Sequence, residues 1–225
     1  MNTTVNPIYL VGGGKGGVGK SVVALALVDR LQRRGVNTVL VENDTSNPYV
    51  MRAVHDEVAC TSFDLDKAGG WIDFVNYCDG HRDAVVVVST AVRNRDGVGR
   101  YGATLGSTLD EIGRRLVVFW VINRQRDSRE LLRQFSDTFP DATVHVVRNG
   151  YYGTPERFVL YQDSKLRGSI EAKGRSLDFT ELPDHVADDL RSQRLRYARR
   201  LRRCRLASAL NCCAGGRAMT RCSSR

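Results

Sequence analysis

Nowhere does this 225-residue sequence hold the eighteen or so consecutive apolar residues that a helix needs to span a bilayer. Its first residues, MNTTVNPIYLVGG, also lack a basic stretch leading into an apolar core. Both absences set aside spanning and exported classes and read as a cytoplasmic protein. Cysteine is sparse and ill placed for a disulfide framework. Cys60 and Cys78 stand far apart, while Cys204, Cys212, Cys213 and Cys222 crowd the last 22 residues. They read as reduced thiols; with no Cys-x2-Cys pair and no histidine beside them, they make no zinc site. His55, His81, His145 and His185 are scattered without a catalytic partner pattern.

Acidic residues are absent from the whole C-terminal stretch. From Arg191 to Arg225 there are eleven arginines and no Asp or Glu, whereas the first 190 residues carry 23 basic and 25 acidic groups. The net charge of +9 therefore belongs to the tail rather than the body. Two regions are expected: a domain over 1–190, and an Arg-rich basic tail over 191–225, partly disordered. From Ala207 onward the tail holds mostly small residues, cysteine and arginine, too few apolar groups to offset the entropy of ordering.

What is present is an alternation of strands and helices. Ile8–Val11, Thr38–Val41, Ala84–Val88, Leu116–Ile122 and Thr143–Val147 are Val/Ile/Leu-rich runs without polar alternation, as in strands covered on both faces. Helical periodicity falls at Ser21–Arg33, Tyr49–Glu57, Gly70–Tyr77, Thr104–Arg115, Ser128–Phe139 and Pro155–Leu166. Leu177–Phe179 reads as an edge strand, and a further helix starts near Pro183. This order predicts an α/β fold: three layers, α/β/α, around a mostly parallel central sheet.

Between the first strand and first helix lies Gly14-Lys15-Gly16-Gly17-Val18-Gly19-Lys20-Ser21, followed by Val22. It meets the phosphate-loop pattern Gly-x-x-x-x-Gly-Lys-(Ser/Thr) in the required strand–loop–helix context. The glycines let successive N–H groups converge on phosphate oxygens, and the helix N-terminus adds positive partial charge. Lys20 would reach the β- and γ-phosphates, and the Ser21 hydroxyl would take Mg2+. A ligand-free glycine turn would require neither. Residues 14–22 are thus the candidate nucleotide contacts, for ATP with Mg2+.

Lys15, directly after the first motif glycine, narrows the reading. The segment resembles the deviant Walker A ATPases of the ParA/MinD type, a P-loop NTPase family marked by this extra lysine. The resemblance implies an ATP-sandwich homodimer in which Lys15 reaches the nucleotide of the opposing subunit. The family also has an acidic-x-Asp pattern where the second strand ends in Glu42-Asn43-Asp44. Asp44 would order the attacking water and help hold Mg2+ through water, alongside Lys15 and Lys20 in catalysis. The Asp-Thr-Ser-Asn-Pro turn and the segment Val147-Arg148-Asn149-Gly150-Tyr151-Tyr152-Gly153 look most like plasmid-borne, conjugal-transfer or stability members of the TraL type.

One departure stands out. The segment Asp83-Ala-Val-Val-Val-Val-Ser89-Thr90-Ala91 occupies the place of the family's Walker B strand, yet where the family shows an Asp after the apolar run there is Val88 or Ser89, and no carboxylate ends the strand. Ser89 or Thr90 would hold a Mg2+-bound water without supplying charge, so hydrolysis is expected to be slow or stimulated by a partner protein. For the base, Asn149 is the candidate adenine reader, with Asn123 competing; no Asn-Lys-x-Asp guanine reader is evident, which favours ATP. In the tail, Arg191, Arg194, Arg196, Arg199, Arg200, Arg202, Arg203 and Arg205 leave three readings open: DNA phosphates, anionic lipid of a membrane, or a solvated end. DNA leads because the apolar positions lack Trp and Phe. The function expected is an ATP-dependent switch in plasmid partition, stability, mobilisation or conjugal transfer. The rival is a metabolic or metallocentre-assembly enzyme of the same superfamily.

Overall fold

The computed structural model describes residues 6–90, 101 and 105–183. The expected helix from Pro183, the basic tail 191–225 and Thr104 at the start of the fourth expected helix lie almost wholly outside these residues. The elements are β1 (Ile8–Gly12), α1 (Lys20–Arg33), β2 (Thr38–Glu42), α2 (Tyr49–Val54), β3 (Ala59–Ser62), α3 (Ala68–Gly80), β4 (Val85–Ser89), α4 (105–111), β5 (Leu116–Ile122), α5 (Arg126–Thr138), β6 (Thr143–Asn149), α6 (Val159–Gln162), α7 (Lys165–Glu171) and β7 (Arg175–Phe179). The seven strands form one sheet in the order β3-β2-β4-β1-β5-β6-β7, and every pairing is parallel. The expectation of a mostly parallel sheet is met and exceeded.

Parallel strands buried on both faces need apolar residues at every position. In β2 and β4 all five residues are buried, and Val86, Val87 and Val88 are fully so. Each of these valines contributes about 1.5–2 kcal/mol by leaving water. Alternate residues supply two cores. Val86, Val118 and Val146 pack under α3, α4, α5 and α7, whereas Val85, Val87, Val121 and Val147 pack under α1 and α2. The three layers follow.

Two elements differ from expectation. Strand β3 reads Ala-Cys-Thr-Ser, an edge strand only half covered, and carries no apolar run to announce it. The single helix expected over Pro155–Leu166 is instead a 3-10 turn (Pro155–Arg157), then α6 and α7. Phe158, with ψ of 43°, leaves helical geometry, and Ser164 caps α7 by accepting from the Arg167 N–H.

The end of the sheet away from the strands' carboxyl termini is tied by one side chain. Arg114 is 2% exposed, and its guanidinium donates to the carbonyls of Asn6 (3.0 Å), Cys78 (2.7 Å), His81 (3.2 Å), Ala84 (2.7 Å) and Pro7 (3.4 Å). No carboxylate neutralises it in this contact set; carbonyl dipoles do.

Candidate nucleotide-binding site

β1 lies at the centre of the sheet, with β4, β2 and β3 on one side and β5, β6 and β7 on the other. Strand order reverses there, and in open parallel sheets the crevice at the carboxyl ends beside such a reversal takes ligands. The loop after β1, residues 13–19, occupies that place.

Close packing shapes the loop. A Cβ on Gly14 would sit 2.5 Å from Leu131 Cδ1 of α5, so only glycine fits. Gly19 has φ of 105°, outside the range of L side chains, and a Cβ there would collide with the Asn149 amide nitrogen. Val18 is fully buried in the α1-side core and anchors the loop, while Gly16 and Gly17 are exposed. Helix α1 then begins with no side-chain cap and no acid in its first turn. Its leading N–H groups are left for an anion. Ser21 and Val22 are half-buried at that start, Val22 against the core.

Lys20 is 7% exposed and its Nζ donates to the Lys15 carbonyl oxygen at 2.9 Å. Burial lowers its pKa from 10.5 to about 8, and the negative charge of Asp44 pulls the other way. An ammonium group so short of solvent and counter-charge favours an anionic neighbour. Asp44 is half-buried; its Oδ1 accepts from the Ser46 hydroxyl (2.8 Å) and the Asn47 N–H (2.9 Å), which fixes the turn that carries it.

Lys15 is engaged within its own chain. Its Nζ pairs with Asp127 Oδ2 at 2.7 Å and donates to Gln125 Oε1 at 3.2 Å, both at the start of α5. The acceptors lie more than a hundred residues along the chain, and sequence reading missed them.

Asn149 closes the loop from the β6 side. Its amide donates to the Val18 carbonyl (2.8 Å), and its Oδ1 accepts from the Tyr151 N–H (3.1 Å). Tyr152 donates its hydroxyl to the Gly17 carbonyl at 2.9 Å, and Tyr151 beside it is 64% exposed. Asn123, the competing candidate, is only 8% exposed; its Oδ1 receives the Ser128 hydroxyl (2.7 Å) and the Gln125 N–H (3.0 Å) at the start of α5.

The β4 end is built without a carboxylate of its own. Ser89 is 3% exposed and hydrogen-bonded to Glu42, its register partner on β2. Thr90 donates its hydroxyl to the Val11 carbonyl at 2.9 Å, at the root of the loop. Glu42 is another residue that sequence reading left without a role. It is 2% exposed, and its carboxylate receives the N–H groups of Val50 (3.1 Å), Met51 (3.4 Å) and Asp44 (3.5 Å). Burial raises its pKa, and the Ser89 hydroxyl and these N–H groups oppose the shift. It was legible as the first acid of the acidic-x-Asp pattern.

A glycine cradle, an uncapped helix start and a buried amine facing it fit a nucleoside polyphosphate. Comparison with known proteins agrees: the model of the CobQ/CobB/MinD/ParA nucleotide-binding domain matches residues 9–148. The chain belongs to that family. It is 52% identical to Protein MobD of Acidithiobacillus ferrooxidans over 189 residues, 84% of this chain and 83% of that one. Among solved structures, a nucleotide-binding protein of Archaeoglobus fulgidus in complex with ADP aligns with a TM-score of 0.53 at 11% identity, covering 86% of this chain and 88% of that one. Chloroplast FtsY of Physcomitrella patens aligns with a TM-score of 0.57 at 13% identity, covering 81% of this chain and 61% of that one. At such identities these two likenesses bear on the fold, which is that of the P-loop NTPases. Among the described residues no helix is long and apolar enough to cross a membrane, and no group of three or more His, Cys, Asp and Glu side chains gathers to hold a metal.

Proposed function

We propose that this member of the family is an ATP-dependent switch that dimerises with ATP and Mg2+ and acts in plasmid partition, stability, mobilisation or conjugal transfer. The observation that carries the reading is Lys15: a second loop lysine, paired with Asp127 and able to turn outward when that ion pair opens. The pair is exposed, with side chains 34% and 61% accessible, so opening it costs about 1 kcal/mol or less.

Lys20 and the N–H groups of residues 14–22 would hold the phosphates. Ser21 would hold Mg2+ directly and Asp44 through water. Mg2+, when bound, supplies charge neutralisation on the phosphate oxygens. Asp44 orders a water from the rim, and Lys15 adds positive charge across the dimer. The buried Ser89 contributes no charge, so basal hydrolysis is slow and a partner protein stimulates it. Asn149, already fixed on the loop, sets the edge that meets adenine. The body over 1–190 performs these steps, and the tail over 191–225 binds DNA phosphates without sequence preference, with lipid the lesser alternative.

Size-exclusion chromatography with ATP, ADP and no nucleotide tests the proposal. ATP alone should add a pairing step to whatever species the nucleotide-free chain shows; Lys20→Ala should lose nucleotide binding, and Lys15→Ala should keep nucleotide while losing that added step. Normal dimerisation of Lys15→Ala overturns the reading. For the tail, DNA affinity should fall steeply with salt, and a flat titration rejects the DNA assignment.

A further inference from the structure

Helices α3 and α4 flank a groove of about 400 Å3 lined by Trp71, Ile72, Val75, Tyr101, Leu105 and Thr108. Its wall is largely apolar, and Ile72 is 61% exposed in the first half of α3. The Trp71 ring forms part of that wall, packed edge-on against Phe74. The two flanking helices carry acids, Asp73 and Asp79 on α3 and Asp110 and Glu111 on α4, and no lysine or arginine of their own. Lys67 lies just before α3 and Arg82 just after it, paired with Asp79. In a chain of net charge +9, this acid-edged apolar groove calls for an amphipathic helix with cationic flanks.

The sequence itself contains such a segment. Residues 190–206, outside the described structure, hold eight arginines and no acid, with Leu190, Tyr197 and Leu201 spaced seven and four apart, as on one helix face. Leu182 packs with the core under α1 and α2, whereas Trp71 and Leu105 belong to the core under α3, α4 and α5. We propose that residues 190–206 of one chain dock in the α3–α4 groove of a second copy. Groove and tail are different surfaces, so each docked chain still offers one of each, and copies join head to tail. This contact uses none of residues 14–22 and needs no nucleotide. DNA competes for the same arginines, so polyanion binding and self-assembly exclude each other.

The test uses the full chain without nucleotide in sedimentation velocity. Wild type should associate with rising concentration at about 0.1 M salt and return to monomer at about 1 M, as screening shortens from about 10 to about 3 Å. Ile72→Ser, at an exposed position that the fold does not need, removes the groove's apolar contact. Tyr197→Ser with Leu201→Ser removes the tail's. Each should weaken association about tenfold or more. Mixing the two variants in equal amounts pairs the intact tail of one with the intact groove of the other, giving dimers that do not grow. A wild type that stays monomeric at low salt, either variant assembling like wild type, or a mixture that stays monomeric overturns the proposal.

Discussion

Replacing Lys20 with methionine separates the cost of the buried amine from its use. Burial lowers the Lys20 pKa from 10.5 to about 8, with Asp44 opposing only in part. At about 1.4 kcal/mol per pH unit, that fall costs about 3 kcal/mol at neutral pH while no phosphate is present. Methionine keeps the apolar stem and removes the charge. It also leaves the Lys15 carbonyl without its donor, a loss of about 1 kcal/mol. Lys20→Met should therefore raise the unfolding free energy of the nucleotide-free protein by about 2 kcal/mol near pH 7, read from urea unfolding followed by tryptophan fluorescence. The folded pKa lies below the unfolded one, so between about 8 and 10.5 the unfolded chain binds more protons and wild-type stability climbs with pH. The variant's advantage should thus shrink toward about pH 10, while its affinity for ATP is lost throughout. A variant less stable than wild type near neutrality, or an advantage that persists unchanged into the alkaline range, would refute the reasoning.

Asp127→Asn should release Lys15, lowering the ATP concentration needed for half dimerisation several-fold in analytical ultracentrifugation; its melting temperature should barely move, because the pair is exposed. Arg114→Lys exchanges a five-carbonyl fork for a single ammonium and should lower stability by about 3 kcal/mol, seen as an earlier urea midpoint with nucleotide affinity unchanged once folded. Asn149→Ala removes the donor to the Val18 carbonyl and should weaken fluorescent-ATP binding about tenfold, or about 1.4 kcal/mol. Tyr152→Phe, which deletes only the bond to Gly17, should weaken it less than Asn149→Ala does.

Most of the fold was legible because β1, β2, β4 and β5 are built on unbroken apolar runs, Ile8–Val11, Val39–Val41, Val85–Val88 and Leu116–Ile122, and sheets covered on both faces leave that trace. Strand β3 left none: Ala59–Ser62 is a polar edge that pairs with β2 through backbone groups. The break at Phe158 was hidden because Pro155–Leu166 still places apolar residues at helical intervals. In the site, the loop was legible because phosphate chemistry demands glycine, lysine and serine at fixed spacing. Its supports were not. Lys15 with Asp127, and Asn149 and Tyr152 with the carbonyls of Val18 and Gly17, meet only through the order of strands around β1. Nothing local in the sequence marks Arg114 as the side chain on which five carbonyl oxygens converge.

That arginine divides the molecule mechanically. It fastens the segment before β1, the end of α3 and the entry to β4 at a single point, at the pole opposite the phosphate loop. β1 and β4 are therefore anchored at their bases, so a load at their far ends, where the phosphate loop and Thr90 sit, would bend them about a fixed foundation.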